Sequence, residues 1–149
     1  MTYPIITEIE TIIVDLPTIR PHHLSMAIIK NQAMVIIRLH CSDGIEGNGE
    51  STTIGGLNYG SESPEGMKLT IDSYIAPLLI GSDATAIQKA MVLLEKNIQG
   101  NYFAKFGIET ALLDAQGKRL KVSIATLLGG SLTQTLPVLW TLASGDTHK

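Results

Sequence analysis

Residues 33–41, AMVIIRLHC, alternate strictly: Val35, Ile37, Leu39 and Cys41 fall on one side and Met34, Ile36, Arg38 and His40 on the other. Successive side chains leave a strand on opposite faces, so this period of two marks a strand with one face committed to a core. Ser42-Asp43-Gly44 follows with turn chemistry, and residues 45–53 return antiparallel. Upstream, residues 5–16 are rich in β-branched side chains and are closed by Pro17. Ile12, Ile13 and Val14 are apolar on both faces, which predicts protein on both sides there. Three consecutive strands of this kind predict an antiparallel meander.

The connection 17–30 is long for a hairpin, and long loops in compact domains are commonly functional, which makes it the first candidate loop. The second is 52–63, TTIGGLNYGSES, with three glycines and no apolar period. Ser63-Pro64-Glu65 then starts a helix, with a side-chain acceptor at the N-cap, a preset φ at N1 and an acid in the first turn. It should run to about Leu79 with Met67, Ile71, Tyr74, Ile75 and Leu78 inward, Pro77 lying in its last turn.

Gly81-Ser82-Asp83 breaks the chain before a helix over 85–98, in which Ile87, Ala90, Met91, Leu94 and Ile98 recur at helical spacing. Gly100 ends it and Asn101 can cap a third helix. There Ile108, Ala111, Leu112 and Ala115 form a stripe, Gly107 and Gly117 permit close approach, and Lys118 and Arg119 complement the carboxyl end. Ser123 caps a short turn, IATLLGG, and residues 135–143, TLPVLWTLA, read as a new strand. A lone strand after three helices reads as the opening of another domain. The expected division is therefore a domain over 1–130 and the start of a second over 131–149. Leu136, Val138, Leu139 and Trp140 in that strand predict poor solubility for 1–149 by itself.

With 44% hydrophobic and 17% charged residues, the 149-residue chain has the composition of a globular domain able to bury a core. Its net charge of −3, with no basic cluster longer than Lys118-Arg119, argues against nucleic acid as a partner. One cysteine, Cys41, can form neither an internal disulfide nor a multi-thiolate metal site, which suits a reducing, cytoplasmic setting. Glu8, Glu10 and Asp15 are wrong for a secretory signal, and no apolar run approaches the ~18 residues of a membrane span.

His22 and His23 with His40 and Cys41 invite a zinc reading, but adjacent strand residues point apart, so His40 and Cys41 cannot share an ion without a bulge. The glycines of 44–50 and 55–56 lack the patterns of a phosphate cradle, and tight hairpin geometry accounts for the first cluster. Glu50, Glu65, Glu109 and Asp114 are acids with no spacing that places two around one pocket. Glu50 stands out because it closes a strand beside the second loop. His22, in the first loop, can titrate near neutral pH and meet a carboxylate.

VDLPTIRPHHLSMA, GNGESTTIGGLNYGSESPE and GNYFAKFGIETALLDAQGKRL followed by LLGG, with LWTLASGDT, together resemble bacterial muconate cycloisomerases of the enolase superfamily. The resemblance implies an α+β capping domain, a three-stranded meander followed by a helical bundle, over the mouth of a (β/α)-barrel of which 131–149 would be the first strand. It implies a reaction interconverting cis,cis-muconate and muconolactone in aromatic breakdown. A barrel lysine would move the proton, and Mn2+ or Mg2+ would stabilise the enolate-like intermediate.

The lysines and acidic metal ligands are expected beyond Lys149, leaving this chain by itself inactive. Substrate contacts implied within it are His22, pairing with a carboxylate, Ile54, excluding water, and Tyr59, hydrogen-bonding through its hydroxyl. The implied partners are a small dicarboxylate, the barrel and further copies of the full-length protein. Other readings are a non-catalytic dicarboxylate-binding or assembly module, or the cap of a chloromuconate cycloisomerase, dipeptide epimerase or o-succinylbenzoate synthase.

Overall fold

The computed structural model describes residues 3–24, 28–58 and 60–138. Three antiparallel strands, β1 (Ile6–His23), β2 (Ile28–Cys41) and β3 (Glu46–Thr52), form one sheet in the order β1-β2-β3. This is the expected meander. Its turn closes with Cys41 N–H donating to Ile45 at 2.9 Å and Gly44, at φ 79°, donating to Cys41 at 3.0 Å.

Two strands run further than the sequence suggests. Segment 17–30 is largely not a loop but a two-stranded arm, in which Pro17 pairs with Asn31, His22 with Ile29 and His23 with Ile28. A register shift between Pro17 and His22 absorbs the proline. Pro17 lies on an edge strand, where its missing N–H costs no ladder bond. Thr18 Oγ1 also donates to Lys30 O at 2.8 Å across the irregularity.

The face carrying Val35, Ile37, Leu39 and Cys41 is sealed by helices: the first three are 0% exposed and Cys41 6%. The expectation of protein on both sides of β1 at 12–14 fails in this chain, because helical cover reaches Thr11 and stops. Ile12 and Ile13 are half exposed. Lys68 and Asp72 tie the helical layer to Thr11, with Lys68 Nζ donating to Thr11 O at 2.8 Å and to Asp72 Oδ2 at 2.8 Å.

The first helix begins as expected at α1 (Pro64–Thr70), with Ser63 Oγ accepting from Gly66 N–H at 3.1 Å. It then opens into a π turn (Ile71–Ile75) and resumes as α2 (Ala76–Leu79) with Pro77 in its first turn. Met67, Ile71, Ile75 and Leu79 are the fully buried positions. A four-residue step on an α-helix overshoots a full turn by about 40°, and the wider π turn takes that rotation back. Two inward assignments change as a result. Tyr74 faces solvent, and Leu79 rather than the partly buried Leu78 fills the core.

α3 (Ile87–Asn97) buries Ala90 and Leu94 and packs Ile87, Met91 and Ile98 against the core. α4 (Tyr102–Leu120) buries Ala104, Ile108, Ala111, Leu112 and Ala115 completely. It lies directly on β3, and glycine is what lets it. A Cβ on Gly47 would meet the Ala111 carbonyl and stand 2.9 Å from Ala115 Cβ. One on Gly49 would strike the Gly107 carbonyl, and one on Gly107 would strike Ser51 Oγ. Hairpin geometry therefore explains Gly44 alone; Gly47 and Gly49 are a seat for α4.

Past α4, Lys121 takes a left-handed conformation at φ 58°, and Ser123 caps α5 (Ile124–Leu127) as its position suggests. Thr135–Val138 form no strand, with Leu136 and Val138 80% and 85% exposed; the rest of the expected final strand lies outside the described residues.

Arg119 Nε meets Asp43 Oδ2 at 2.7 Å, clamping the carboxyl end of α4 to the β2–β3 turn. This guanidinium holds the Asp43 carboxyl below its ordinary value. A depressed folded pKa gives stability that is present above the unfolded value near 4 and is lost as pH falls through the folded one. An Asp43→Asn variant is therefore expected to be less stable at neutral pH and to lose less on acidification. Urea midpoints from pH 7 to pH 3 check this, and parallel curves for the two proteins would contradict it.

Candidate functional site

The meander brings the two candidate segments to one end of the sheet. β2 enters where β3 leaves, so the β1–β2 arm and the loop after Thr52 are neighbours. Directly paired residues of antiparallel strands project from the same face, which puts His22 on the side of Ile29. Ile29 is buried, and the nearest atom to a Cβ on Gly55 would be Ile29 Cδ1 at 3.6 Å. Arm and loop therefore approach each other at Ile29 and Gly55, with room between them for about one methyl group. His22 is exposed beside them, and Ile54 presents an apolar side chain that is 56% exposed. Tyr59, the third expected contact, lies outside the described residues.

Gly55 and Gly56 take positive φ at 68° and 57°, which folds the loop into a single 3-10 turn (Gly56–Asn58). Asn58 N–H donates to Gly55 at 3.2 Å and Gly60 N–H to Gly56 at 3.1 Å. A cavity of about 340 Å3 separates the loop from the sheet, walled by Asp15, Asn31, Thr53, Gly55, Pro64 and Glu65. Asn31 Nδ2 donates to Asp15 Oδ2 at 2.7 Å on its floor.

The stems of the loop are held at three points. Gln32 Nε2 donates to Thr52 Oγ1 at 2.6 Å and to Thr53 O at 2.8 Å. Ser51 Oγ donates to Phe103 O at 2.6 Å. Glu62, 8% exposed, accepts from Phe103 N–H at 2.9 Å and from Ala104 N–H at 3.2 Å. Glu62 is thus the side-chain cap of α4. Asn101, expected in that role, adopts a left-handed backbone and makes no cap bond; its amide donates to Gln99 O and its Oδ1 accepts from Thr70. The 41-residue separation of Glu62 from Phe103 hides this contact from any local motif.

A second, larger groove of about 990 Å3 opens between β3 and the outer side of α4, along Glu50, Tyr102, Phe103, Phe106, Asp114 and Ile124. It places two of the candidate acids, Glu50 and Asp114, around one hollow, which their spacing does not suggest. Asp114 is already engaged there, accepting from Asn48 N–H at 2.7 Å and pairing with Lys118 at 2.7 Å. Glu65 borders the loop cavity instead, and Glu109 is half-buried. His40 and Cys41 do lie on opposite faces: burial raises the Cys41 thiol pKa, while His40 Nδ1 sits 3.7 Å from Glu46 Oε2. Glu46 is also hydrogen-bonded by Arg38, which holds its carboxyl below the ordinary range.

Residues 8–129 match the family described as "Mandelate racemase / muconate lactonizing enzyme, N-terminal domain". The chain belongs to this family. Within the mandelate racemase / muconate lactonizing enzyme family, it is 59% identical over 151 residues to Muconate cycloisomerase 1 of Pseudomonas putida, covering 100% of this chain and 40% of that protein. It is 44% identical over 144 residues to the chloromuconate cycloisomerase of Pseudomonas sp. strain P51, covering 97% of this chain and 39% of that one. The crystal structure of muconate lactonizing enzyme from Pseudomonas fluorescens complexed with muconolactone superposes with a TM-score of 0.94 at 63% identity, covering 97% of this chain and 39% of that chain. This family member thus spans about two fifths of the length of the relatives it matches. The meander followed by helices is the architecture of the matching amino-terminal part.

Proposed function

We propose that the chain is the capping and substrate-specificity part of a muconate cycloisomerase, serving the interconversion of cis,cis-muconate and muconolactone. The observation that carries this reading is the meeting of arm and loop at one end of the sheet, with Ile54 exposed and His22 on the loop's side. Ile54 is one of several exposed apolar residues of the chain, and its place beside His22 at the end of the sheet where arm and loop meet is what supports a role against a ligand. Higher identity to muconate cycloisomerases, 59%, than to a chloromuconate cycloisomerase, 44%, supports the choice of substrate.

In this reading residues 1–130 form the cap and 131–149 begin the barrel. His22 pairs with a substrate carboxylate, Ile54 keeps water from the enolate-like intermediate, and Tyr59 donates a hydrogen bond. Among the described residues no three His, Cys, Asp or Glu side chains converge to hold an ion. The chain's own described residues do not fit a divalent metal, and its acidic ligands are proposed to lie beyond Lys149. The full-length protein is proposed to be cytoplasmic and homo-oligomeric.

The test is turnover by the full-length protein. Mn2+- or Mg2+-dependent conversion of cis,cis-muconate is expected. Preference for chloromuconate, dipeptide epimerisation, o-succinylbenzoate formation, or dicarboxylate binding without turnover would each replace the reading. Within the active protein, Ile54→Ala is expected to lower kcat/KM about tenfold or more, since apolar contacts in a site are worth about 1–3 kcal/mol. Unchanged kcat/KM would remove Ile54 from the substrate's surroundings.

A further inference from the structure

We propose that Glu62 is a positioning residue, holding the 53–62 loop in its substrate-ready conformation by clasping it to the amino end of α4. The proposal deepens the cap reading and rests on it. Both stems of the loop end on one residue: Phe103 gives its N–H to Glu62, on the outgoing stem, and its carbonyl to Ser51, on the incoming one. Ala104 N–H adds a second bond to the same carboxylate. Ser51 and Glu62 are 1% and 8% exposed, so water does not substitute freely for these bonds.

A carboxylate suits this place for two reasons. It has two oxygens for two N–H groups, and its charge is favourable at the positive end of a 19-residue helix. The helix in turn is seated on β3 through Gly47, Gly49 and Gly107, contacts that leave no room for sliding. The loop is therefore referenced to a rigid element at the point where both of its ends meet. Gln32 fixes the incoming end at Thr53 O, and Thr53 Oγ1 donates to Glu62 O at 3.5 Å. Beyond these the loop's described contacts are chiefly its own turn bonds and Ile29, so the placement of its outgoing stem depends on the clasp.

Without the carboxylate the loop should sample open conformations, and substrate binding must then select the competent fraction. Apparent affinity falls by that fraction, while saturating substrate restores the closed form. In the full-length enzyme Glu62→Ala is expected to raise KM for muconate about tenfold with kcat within about threefold, and Glu62→Gln, which keeps one acceptor oxygen but loses the charge and the second acceptor, to recover only part of that loss. A merely structural role would lower Tm and the active fraction, leaving KM unchanged.

Ala90→Gly, a helix-core change in α3 away from the loop, supplies a variant destabilised without touching the clasp. The second readout needs no substrate: thermolysin cleavage on the amino side of Leu57, an exposed residue of the loop, mapped by mass spectrometry. Glu62→Ala is expected to be cut there about tenfold faster than wild type, and Ala90→Gly at the wild-type rate. Cleavage of Glu62→Ala at the wild-type rate, or an increase in KM equalled by Ala90→Gly, would overturn the proposal. If wild-type protein turns over no muconate, the cap reading fails, and the cleavage comparison still decides for or against the clasp.

Discussion

A Gly49→Ala substitution in the full-length protein is expected to cost about 3 kcal/mol or more, and Gly49→Val to prevent the domain from folding. The added Cβ would overlap the Gly107 carbonyl and come within 3.0 Å of Ala111 N, and neither atom can rotate away as a side-chain tip could. Relief needs α4 to lift from β3, which would open the fully buried layer of Ile37, Ile108, Ala111 and Leu112. Gly44→Ala is the instructive contrast: a Cβ there meets nothing, so only its positive φ of 79° is strained, at roughly 1–2 kcal/mol. Urea unfolding of the three proteins checks the order. A Gly49→Ala midpoint equal to that of Gly44→Ala would mean that the sheet–helix contact yields more than its geometry implies.

The second large effect concerns 1–149 as a separate polypeptide, which is expected to self-associate. Tyr102, Phe103 and Phe106 stand exposed along the α4 groove, and elsewhere Leu128, Leu132, Leu136 and Val138 add apolar side chains at 69–104% exposure. Apolar area of this extent on a small domain drives association. Sedimentation should show an average mass rising from the 16.0 kDa monomer, at least doubling by about 0.1 mM. Phe106→Ser combined with Leu136→Ser should shift that rise to higher concentration. A wild-type chain that stays monomeric and melts cooperatively would contradict this.

What could be read from the residues divides by distance along the chain. The alternation of 33–41, the Ser63-Pro64 and Ser123 caps and the stripe of α4 are local patterns, and each appears where expected. Local pattern misleads where a distant partner decides the outcome. Segment 17–30 reads as a loop because Pro17 closes the strand before it, yet β2 pairs with it on the far side of the break. Asn101 looked like a cap by residue type, but Glu62 takes the N–H groups from a loop many residues earlier. Gly47 and Gly49 looked like turn residues because their neighbour Gly44 is one; only the docked helix shows their purpose. The proposed substrate contacts His22, Ile54 and Tyr59 rest on resemblance. Composition and spacing single out His22 weakly, and give no reason to prefer Ile54 over other exposed apolar residues.

The π turn at Ile71–Ile75 also bears on how sequences in this family are to be compared. It lets Met67, Ile71, Ile75 and Leu79 share one buried line at a uniform step of four, whereas an uninterrupted α-helix would carry such a line around its surface. A relative that straightened this helix would keep the same core only by dropping a residue. An alignment gap falling between residues 71 and 75 would then record a change of helical pitch, with the packing on either side preserved.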